Sequence, residues 1–281
     1  MDFLFALKAA ILGVVEGLTE FLPVSSTGHL IIFDNLIKLS ENKEFSNMFI
    51  MVIQLGAILA VLVLYRRKIW DTVVHLFPSE KISFERSGLY FWLMVVVSCI
   101  PAAVIGIPFD DLVEEKLFNP PVVACALFIG GLWMIYAESK LRGTQTTSLS
   151  DSKITVKMAI IVGLFQVLSI IPGMSRSAST IIGGWVAGLS TVAAAEYSFF
   201  LAIPVMFGQA LLNILDASGT LLAQEWMALG IGFVVSFAVA LAVIGSFISY
   251  LQKKPMKVFA IYRIIFAFAV LAFGYLGFFP K

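Results

Sequence analysis

Two short stretches of this sequence set ionisable side chains among apolar neighbours. In the first stretch, Glu16 and Glu20 are four residues apart, which places both carboxylates on one face of a helix. Two carboxylates facing one cavity can hold a hard divalent cation through their oxygens, or can share a proton. Because apolar residues flank both glutamates, we favour these functions over a pair of glutamates exposed to water.

The residues that follow Pro23 predict a helix start. Ser25-Ser26-Thr27-Gly28-His29 precedes the apolar run from Leu30 to Phe33, and a serine or threonine before such a run is typical of an N-cap. The free N–H groups of a helix start bind anions. Ser26 and His29 are three residues apart and can share a face, with the hydroxyl beside a group that can serve as base, acid or nucleophile.

The second stretch, PGMSRSAST, runs from Pro172 to Thr180 and has Arg176 as its only charge. An arginine presents a rigid fork of donors that matches phosphate, and neighbouring hydroxyls can contact the remaining oxygens. The hydroxyls around it are those of Ser175, Ser177, Ser179 and Thr180. We interpret this stretch as an oxyanion-binding site.

Weaker candidates lie on the apolar segments that follow each stretch. Gln54, Glu196 and Ser198 are candidates to line the same cavity. Arg263, beside Tyr262, could be either a phosphate ligand or an interfacial anchor.

The composition is that of a membrane protein. Of the 281 residues, 60% are apolar and 13% are charged, about half the charge of an average soluble domain. The net charge of +1 argues against nucleic acid or a polyanionic protein as a partner. Cys99 and Cys125 lie inside apolar runs, so we expect no disulfide framework.

Six segments are long enough to cross a bilayer, which takes about 20 mostly apolar residues. They are Asn47 to Tyr65, Leu89 to Ile107, Pro121 to Ala137, Tyr197 to Leu215, Trp226 to Tyr250 and Val258 to Phe279. Polar residues interrupt two further apolar regions, at Glu16 to His29 and at Pro172 to Thr180. Because non-helical backbone at membrane depth needs protein or a wet cavity around it, we predict two re-entrant helix-turn-helix hairpins, 3–37 and 154–190.

The chain also repeats itself. A shift of 149 positions places Pro23 on Pro172 and Ser26 on Ser175. Each half then has one hairpin and three spans, 1–146 and 147–281, within a single membrane domain. An odd number of crossings inverts the second half relative to the first, so the predicted fold is all-α with two inverted-topology repeats.

The basic residues of the loops predict the orientation. Twelve lie in one set of loops, between residues 66 and 86, 140 and 157, and 253 and 257, against five on the opposite side. The positive-inside rule places the set of twelve in the cytoplasm. The first hairpin then opens outward.

The motifs resemble those of the bacitracin-resistance family of undecaprenyl-diphosphate phosphatases. EGLTEFLPVSSTGH (Glu16 to His29) and PGMSRSAST carry the resemblance, with VIQLGAILAV, AAEYSFFLAIP and FAIYR extending it over nearly the whole chain. The one departure is Ala178, where glycine is usual.

The resemblance implies an enzyme of the bacterial inner membrane that hydrolyses undecaprenyl diphosphate to undecaprenyl phosphate and inorganic phosphate, with its site facing the periplasm. This reaction recycles the lipid carrier for peptidoglycan, and the family depends on Mg²⁺ or Ca²⁺. By position, Glu16 and Glu20 bind the metal or transfer the proton, and Arg176 binds the diphosphate. Ser25, Thr27, Ser175, Ser177 and Thr180 help to bind phosphate.

Three nucleophiles remain open: Ser26, which we prefer, His29, which could instead be the base, and a metal-activated water with Ser26 only binding phosphate. A secondary transporter or lipid flippase built on the same inverted repeat is the alternative function. The sequence sets no oligomeric state, and a homo-oligomer is one option.

Overall fold

A computed structural model describes residues 3–80, 82–143, 147–216 and 221–276. Within these ranges the chain forms α-helices joined by short turns, and no strand occurs there beyond one isolated bridge between Ser79 and Ile82. The helices are α1 (Phe3–Thr19), α2 (Ser26–Ile37), α3 (Lys43–Leu64), α4 (Arg66–Val74), α5 (Gly88–Leu117), α6 (Pro120–Leu141), α7 (Val156–Gln166), α8 (Arg176–Val186), α9 (Thr191–Asp216), α10 (Ala223–Leu251) and α11 (Lys257–Tyr275).

Within the described residues, six helices are long and apolar enough to cross a membrane, which confirms the predicted number. The qualifying stretches are Glu44–Leu64, Gly88–Phe109, Pro120–Leu141, Thr191–Leu211, Ala223–Leu251 and Lys257–Tyr275. The third stretch has 22 residues and is longer than predicted, because the helix begins with prolines directly after the Asn119 cap and continues through Lys140. The last three positions of the predicted sixth span, 277–279, lie outside the described residues.

The two interrupted regions each form a pair of helices around a turn. In the first pair, α1 continues through Glu16 to Thr19, so the helix ends later than the polar residues predict. Gly13 and Gly17 let α1 pack directly on α10, since a Cβ at Gly17 would lie 2.6 Å from the Ser236 carbonyl oxygen. In the second pair, α7 ends at Gln166 and a 3₁₀ turn, Val167–Ile170, leads toward α8.

Helix packing brings the two interrupted regions together. α1 packs along α10, α7 packs along α5, and α6 packs on α11, while α3 contacts both α10 and α9. α9 is the most deeply buried of the six long helices. Its Tyr197, Phe199 and Phe200 are buried in the largest apolar cluster, next to Phe21 from the first turn.

The loops that carry most of the basic residues lie at one end of the bundle. Lys153 forms an ion pair with Glu85, and Arg142 donates to the Lys254 carbonyl oxygen at 3.0 Å. These two contacts connect all three basic loops, as expected if they share one side of a membrane.

Candidate active site

The two turns meet around a polar cavity of about 150 Å³. The start of α2 lies on one wall and the start of α8 on the other. The polar side chains on its lining are Glu20, Ser25, Ser26, Thr27, Gln54, Ser169, Ser175, Arg176 and Gln209. Seven of these nine were candidates from the sequence, and Ser169 and Gln209 were missed.

The two helix starts use the same N-cap. Ser25 and Ser175 both have a φ of 70°, and each serine Oγ accepts a hydrogen bond from the backbone N–H three residues later, at 3.4 Å from Gly28 and 3.3 Å from Ala178. This places Ser25 opposite Ser175, 150 positions apart. The spacing of the caps exceeds by one the shift of 149 that aligns Ser26 with Ser175, because Pro23 lies two residues before its cap and Pro172 lies three residues before its cap.

Glu20 joins the two turns. Ser26 Oγ donates to Glu20 Oε2 at 2.5 Å, and Arg176 Nη2 donates to Glu20 Oε1 at 2.6 Å. The Glu20 and Arg176 side chains are only 9% and 12% exposed, so solvent screens this ion pair weakly. One carboxylate thus contacts both a hydroxyl nucleophile candidate and the guanidinium predicted to bind phosphate.

Arg176 is held in place from α9 as well. Its Nη1 donates to the Ser198 carbonyl oxygen at 3.0 Å. The Thr180 hydroxyl donates to the Arg176 carbonyl oxygen at 2.8 Å and lies 2.7 Å from Ser198 Oγ. Thr180 and Ser198 therefore support Arg176 from behind and do not line the cavity.

Ser177 ties the two turns to each other. Its Oγ donates to the Leu22 carbonyl oxygen in the first turn at 2.9 Å and lies 3.1 Å from Ser175 Oγ. Of the five hydroxyl residues predicted to bind phosphate, Ser25, Thr27 and Ser175 line the cavity, whereas Ser177 and Thr180 lie behind it.

Glu16 is completely buried one helical turn before Glu20. Neither of its carboxylate oxygens has a hydrogen-bond partner among the described residues. A buried carboxylate without a partner is costly, so a bound cation or a proton must complete its surroundings. The donor set suits a hard divalent cation, since the second carboxylate, Glu20, lies on the same helix face.

His29 points away from the cavity, toward α11. Its Nδ1 donates to the Ser25 carbonyl oxygen at 2.8 Å, and Tyr262 Oη lies 2.6 Å from its Nε2. Phe266 stacks on its ring, with 3.9 Å between centroids. The structure therefore separates His29 from Ser26 Oγ, although the two residues are three apart in sequence.

The remaining candidates divide between the site and the rest of the bundle. Gln54 lines the cavity. Glu196 lies elsewhere, where its carboxylate accepts from the Leu149 N–H at 2.7 Å and from Tyr65 Oη at 3.4 Å. The missed Gln209 has the same signal as Gln54, a glutamine within an apolar span.

Comparison with known proteins agrees with the motifs. The family described as "Bacitracin resistance protein BacA" matches residues 9–269. The chain is 57% identical to an undecaprenyl-diphosphatase of Ruminiclostridium cellulolyticum, over 98% of this chain and 99% of that protein. Similar relatives with the same name occur in Clostridium tetani, 52% identical over 93% of both chains, and in Clostridium novyi, 50% identical over 95% of both. The resemblance is confirmed over nearly the full length, and the chain belongs to the bacitracin resistance protein BacA family.

Proposed function

We propose that this protein hydrolyses undecaprenyl diphosphate to undecaprenyl phosphate and inorganic phosphate, as the name of its relatives indicates for them. The observation that carries the proposal is Glu20, whose two oxygens contact Ser26 Oγ and Arg176 Nη2 in one buried cavity. A proton acceptor, a nucleophile and a phosphate-binding cation then lie within one hydrogen-bond network. Transfer of a phosphoryl group requires these three functions together.

Arg176 and the two helix starts bind the diphosphate. The guanidinium offers paired donors to phosphate oxygens, and the N–H groups at the starts of α2 and α8 face the same cavity. The hydroxyls of Ser25, Thr27 and Ser175 add further donors. The apolar tail stays among lipid-facing helices, because its transfer to water would be very unfavourable.

Ser26 is the nucleophile that the geometry favours. Its Oγ attacks the terminal phosphorus, the bond from that phosphorus to the bridging oxygen breaks, and undecaprenyl phosphate leaves. The hydroxyl proton passes to Glu20 Oε2, which lies 2.5 Å away. Glu20 then gives this proton to the departing oxygen of undecaprenyl phosphate and is again a carboxylate. In the second step water attacks the phosphoserine and Glu20 accepts a proton from it. The bond from phosphorus to Ser26 Oγ breaks, Ser26 Oγ regains the proton, and inorganic phosphate leaves. His29 is less suited to attack, since contacts to Ser25 and Tyr262 engage both ring nitrogens.

Glu16 and Glu20 are the residues that would hold Mg²⁺ or Ca²⁺. The two unpartnered oxygens of buried Glu16 support this assignment. A divalent cation bound there would offset the negative charge that develops on the phosphate oxygens.

The helix packing supports two inverted repeats, 1–146 and 147–281. Under that relation α1 corresponds to α7, and α5 corresponds to α10. The contact of α1 with α10 is then equivalent to the contact of α7 with α5. The contacts of α6 with α11 and of α3 with α9 map onto themselves. The two helix pairs are then re-entrant hairpins that enter from opposite sides, and their turns meet at membrane depth.

The basic loops support an outward-facing site in the bacterial inner membrane. Single cysteines in a background with Cys99→Ala and Cys125→Ala test this orientation. Asp71→Cys lies on the basic side and Glu115→Cys on the other, and their parent side chains are 79% and 68% exposed. An impermeant thiol reagent on intact cells should label only the second, and labelling of the first would reverse the orientation.

A secondary transporter or lipid flippase is the alternative, and phosphate release separates the two. Purified protein should release inorganic phosphate from a prenyl diphosphate with Mg²⁺ or Ca²⁺, and the release should stop with a chelator. Arg176→Ala, purified in parallel, controls for contaminating phosphatases. Movement of the lipid across sealed vesicles without release of phosphate would favour the alternative.

A further inference from the structure

Arg263 on α11 is fully buried, and no described carboxylate forms an ion pair with it. Its Nη2 donates to the carbonyl oxygens of Gly173 and Met174, both at 2.9 Å. Nε and Nη1 have no hydrogen-bond partner among the described residues, and Arg263 is absent from every ion pair within that part of the chain. A buried charge of this kind lowers stability unless something compensates it, so its position calls for a function.

The two carbonyl groups belong to the turn that leads directly into Arg176. Gly173 has a φ of 99° and Ser175 a φ of 70°, so the turn uses the left-handed backbone region twice. A Cβ at Gly173 would lie 2.6 Å from the Val123 carbonyl oxygen on α6, which shows how closely the turn crosses that helix. Carbonyl groups in such a turn have no helical donor, and Arg263 supplies one.

A gap in α6 admits the guanidinium. A Cβ at Gly130 would lie 2.2 Å from Arg263 Nη2, so any larger residue there would displace the group. The space at Gly130, the Arg263 side chain and the turn carbonyls therefore fit one another.

The neighbouring residue of α11 supports the other turn. Tyr262 Oη lies 2.6 Å from His29 Nε2, and His29 Nδ1 donates to the carbonyl oxygen of Ser25, the first N-cap. Two consecutive residues of one helix thus reach both turns of the site. α11 therefore contacts the residues of both turns.

We propose that Arg263 is a positioning residue that holds Arg176 in line with Glu20 and Ser26 through the carbonyl groups of Gly173 and Met174. It acts behind the cavity and does not touch the substrate. This inference rests on the proposed function. The sequence suggested that Arg263 is a phosphate ligand or an interfacial anchor, and the inferred role differs from both.

The test compares two substitutions of Arg263 in the phosphate-release assay. Arg263→Met removes the donors and should lower kcat/KM on the order of a hundredfold, with KM raised and kcat lowered, because Arg176 is misplaced. Arg263→Lys keeps a charged donor that can reach carbonyl oxygens, and it should recover at least roughly tenfold of that loss. Ile265→Val, at a lipid-facing position of the same helix, is the control and should match the wild type.

A double-variant cycle separates positioning from a general structural role. If Arg263 acts only through Arg176, then Arg263→Met combined with Arg176→Ala should be as slow as Arg176→Ala alone. Additive losses would overturn the proposal, as would a folded Arg263→Met with the kcat and KM of the wild type.

Gly130→Ala provides a second route that leaves Arg263 chemically intact. Its methyl group should displace the guanidinium and reproduce the kinetic change of Arg263→Met, yet add nothing in the Arg263→Met background. Normal kinetics in Gly130→Ala would contradict the proposal, and failure of both single variants to fold would make Arg263 a stability residue only. A wild-type protein that releases no phosphate would instead refute the proposed function.

Discussion

The turn before α2 and the turn before α8 begin their helices in the same way and carry opposite chemistry. Each starts with a serine at a φ of 70° whose Oγ caps the helix. The first helical residue is Ser26 in one and Arg176 in the other, and both contact Glu20. The two turns therefore share one cap geometry, while the nucleophile candidate lies on the first turn and the cation on the second.

The helices before the two turns also differ in the polar residues that they carry. At the spacing of 150 set by the caps, Glu16 corresponds to Gln166 and Glu20 to Ile170. Both Glu16 and Gln166 are buried, and neither the Glu16 oxygens nor the Gln166 oxygen has a hydrogen-bond partner in the part of the chain that the structure describes. The two candidate carboxylates thus precede the first turn alone, and neither turn by itself carries all the candidate residues.

The largest expected effect comes from the first turn. Ser26→Ala should abolish phosphate release, while binding of a prenyl diphosphate persists through Arg176 and the helix N–H groups. A phosphoenzyme trapped during slow turnover should be stable to acid, as phosphoserine is. An acid-labile adduct at His29 would transfer the nucleophile to that residue.

The control for this variant is Ser246→Ala. That hydroxyl lies exposed on α10 and bonds only to its own helix, at Ala242. It should leave turnover unchanged. Residual release by Ser26→Ala above a tenth of the wild-type rate would limit Ser26 to phosphate binding.

The second turn should respond almost as strongly. Arg176→Lys should lower kcat roughly a thousandfold, nearly as much as Arg176→Ala. A lysine ammonium lacks the planar fork with which arginine holds the Ser198 carbonyl oxygen through one nitrogen and Glu20 or phosphate through the other. Steady-state phosphate release measures both variants. Near-normal turnover by the lysine variant would reduce Arg176 to a general positive charge.

Converting the first copy toward the second should have a smaller effect. Glu16→Gln gives α1 the residue type that α7 has at Gln166, and it should weaken the response to Mg²⁺ or Ca²⁺ by about 10–100-fold. Removing a buried charge should also raise the melting temperature measured in chelator. Gln166→Glu, the reciprocal change, should confer no extra response to the cations.

An unchanged cation titration for Glu16→Gln would contradict the assignment of Glu16 to a metal. A lower melting temperature in chelator would indicate that Glu16 is already paired or protonated in the folded protein.

Local pattern and span length were enough to predict six helices long enough to cross a membrane and seven of the nine polar residues that line the cavity. Hydroxyls before an apolar run predicted both caps, and charges inside apolar regions identified Glu20 and Arg176. Contacts between distant segments were beyond this reasoning. The spacing of Ser26 and His29 indicated a shared face, yet Tyr262, more than two hundred positions away, orients His29 toward α11.

The role of Arg263 could not be predicted from the sequence, because it also depends on contacts between distant segments. Its environment depends on a gap at Gly130 and on two carbonyl groups of a turn, and neither feature has a local signature. The difference of one residue between the shift of 149 and the cap spacing of 150 has the same origin, since the shift was set by the prolines and the shared cap geometry is visible only in the backbone.

The smallest expected effect tests whether the two caps are equivalent. Ser25→Ala and Ser175→Ala should each lower the free energy of unfolding by about 1 kcal/mol, because both lose a cap bond and both must hold a φ of 70°. Ser25→Gly and Ser175→Gly should cost only a few tenths of a kcal/mol, since glycine adopts that φ without strain. Chemical denaturation in detergent measures all four variants, with Ser249→Ala, an exposed hydroxyl on α10, as the control. Equal costs at the two serines support one turn used twice, whereas a loss at only one of them would mean that the shared φ hides different surroundings.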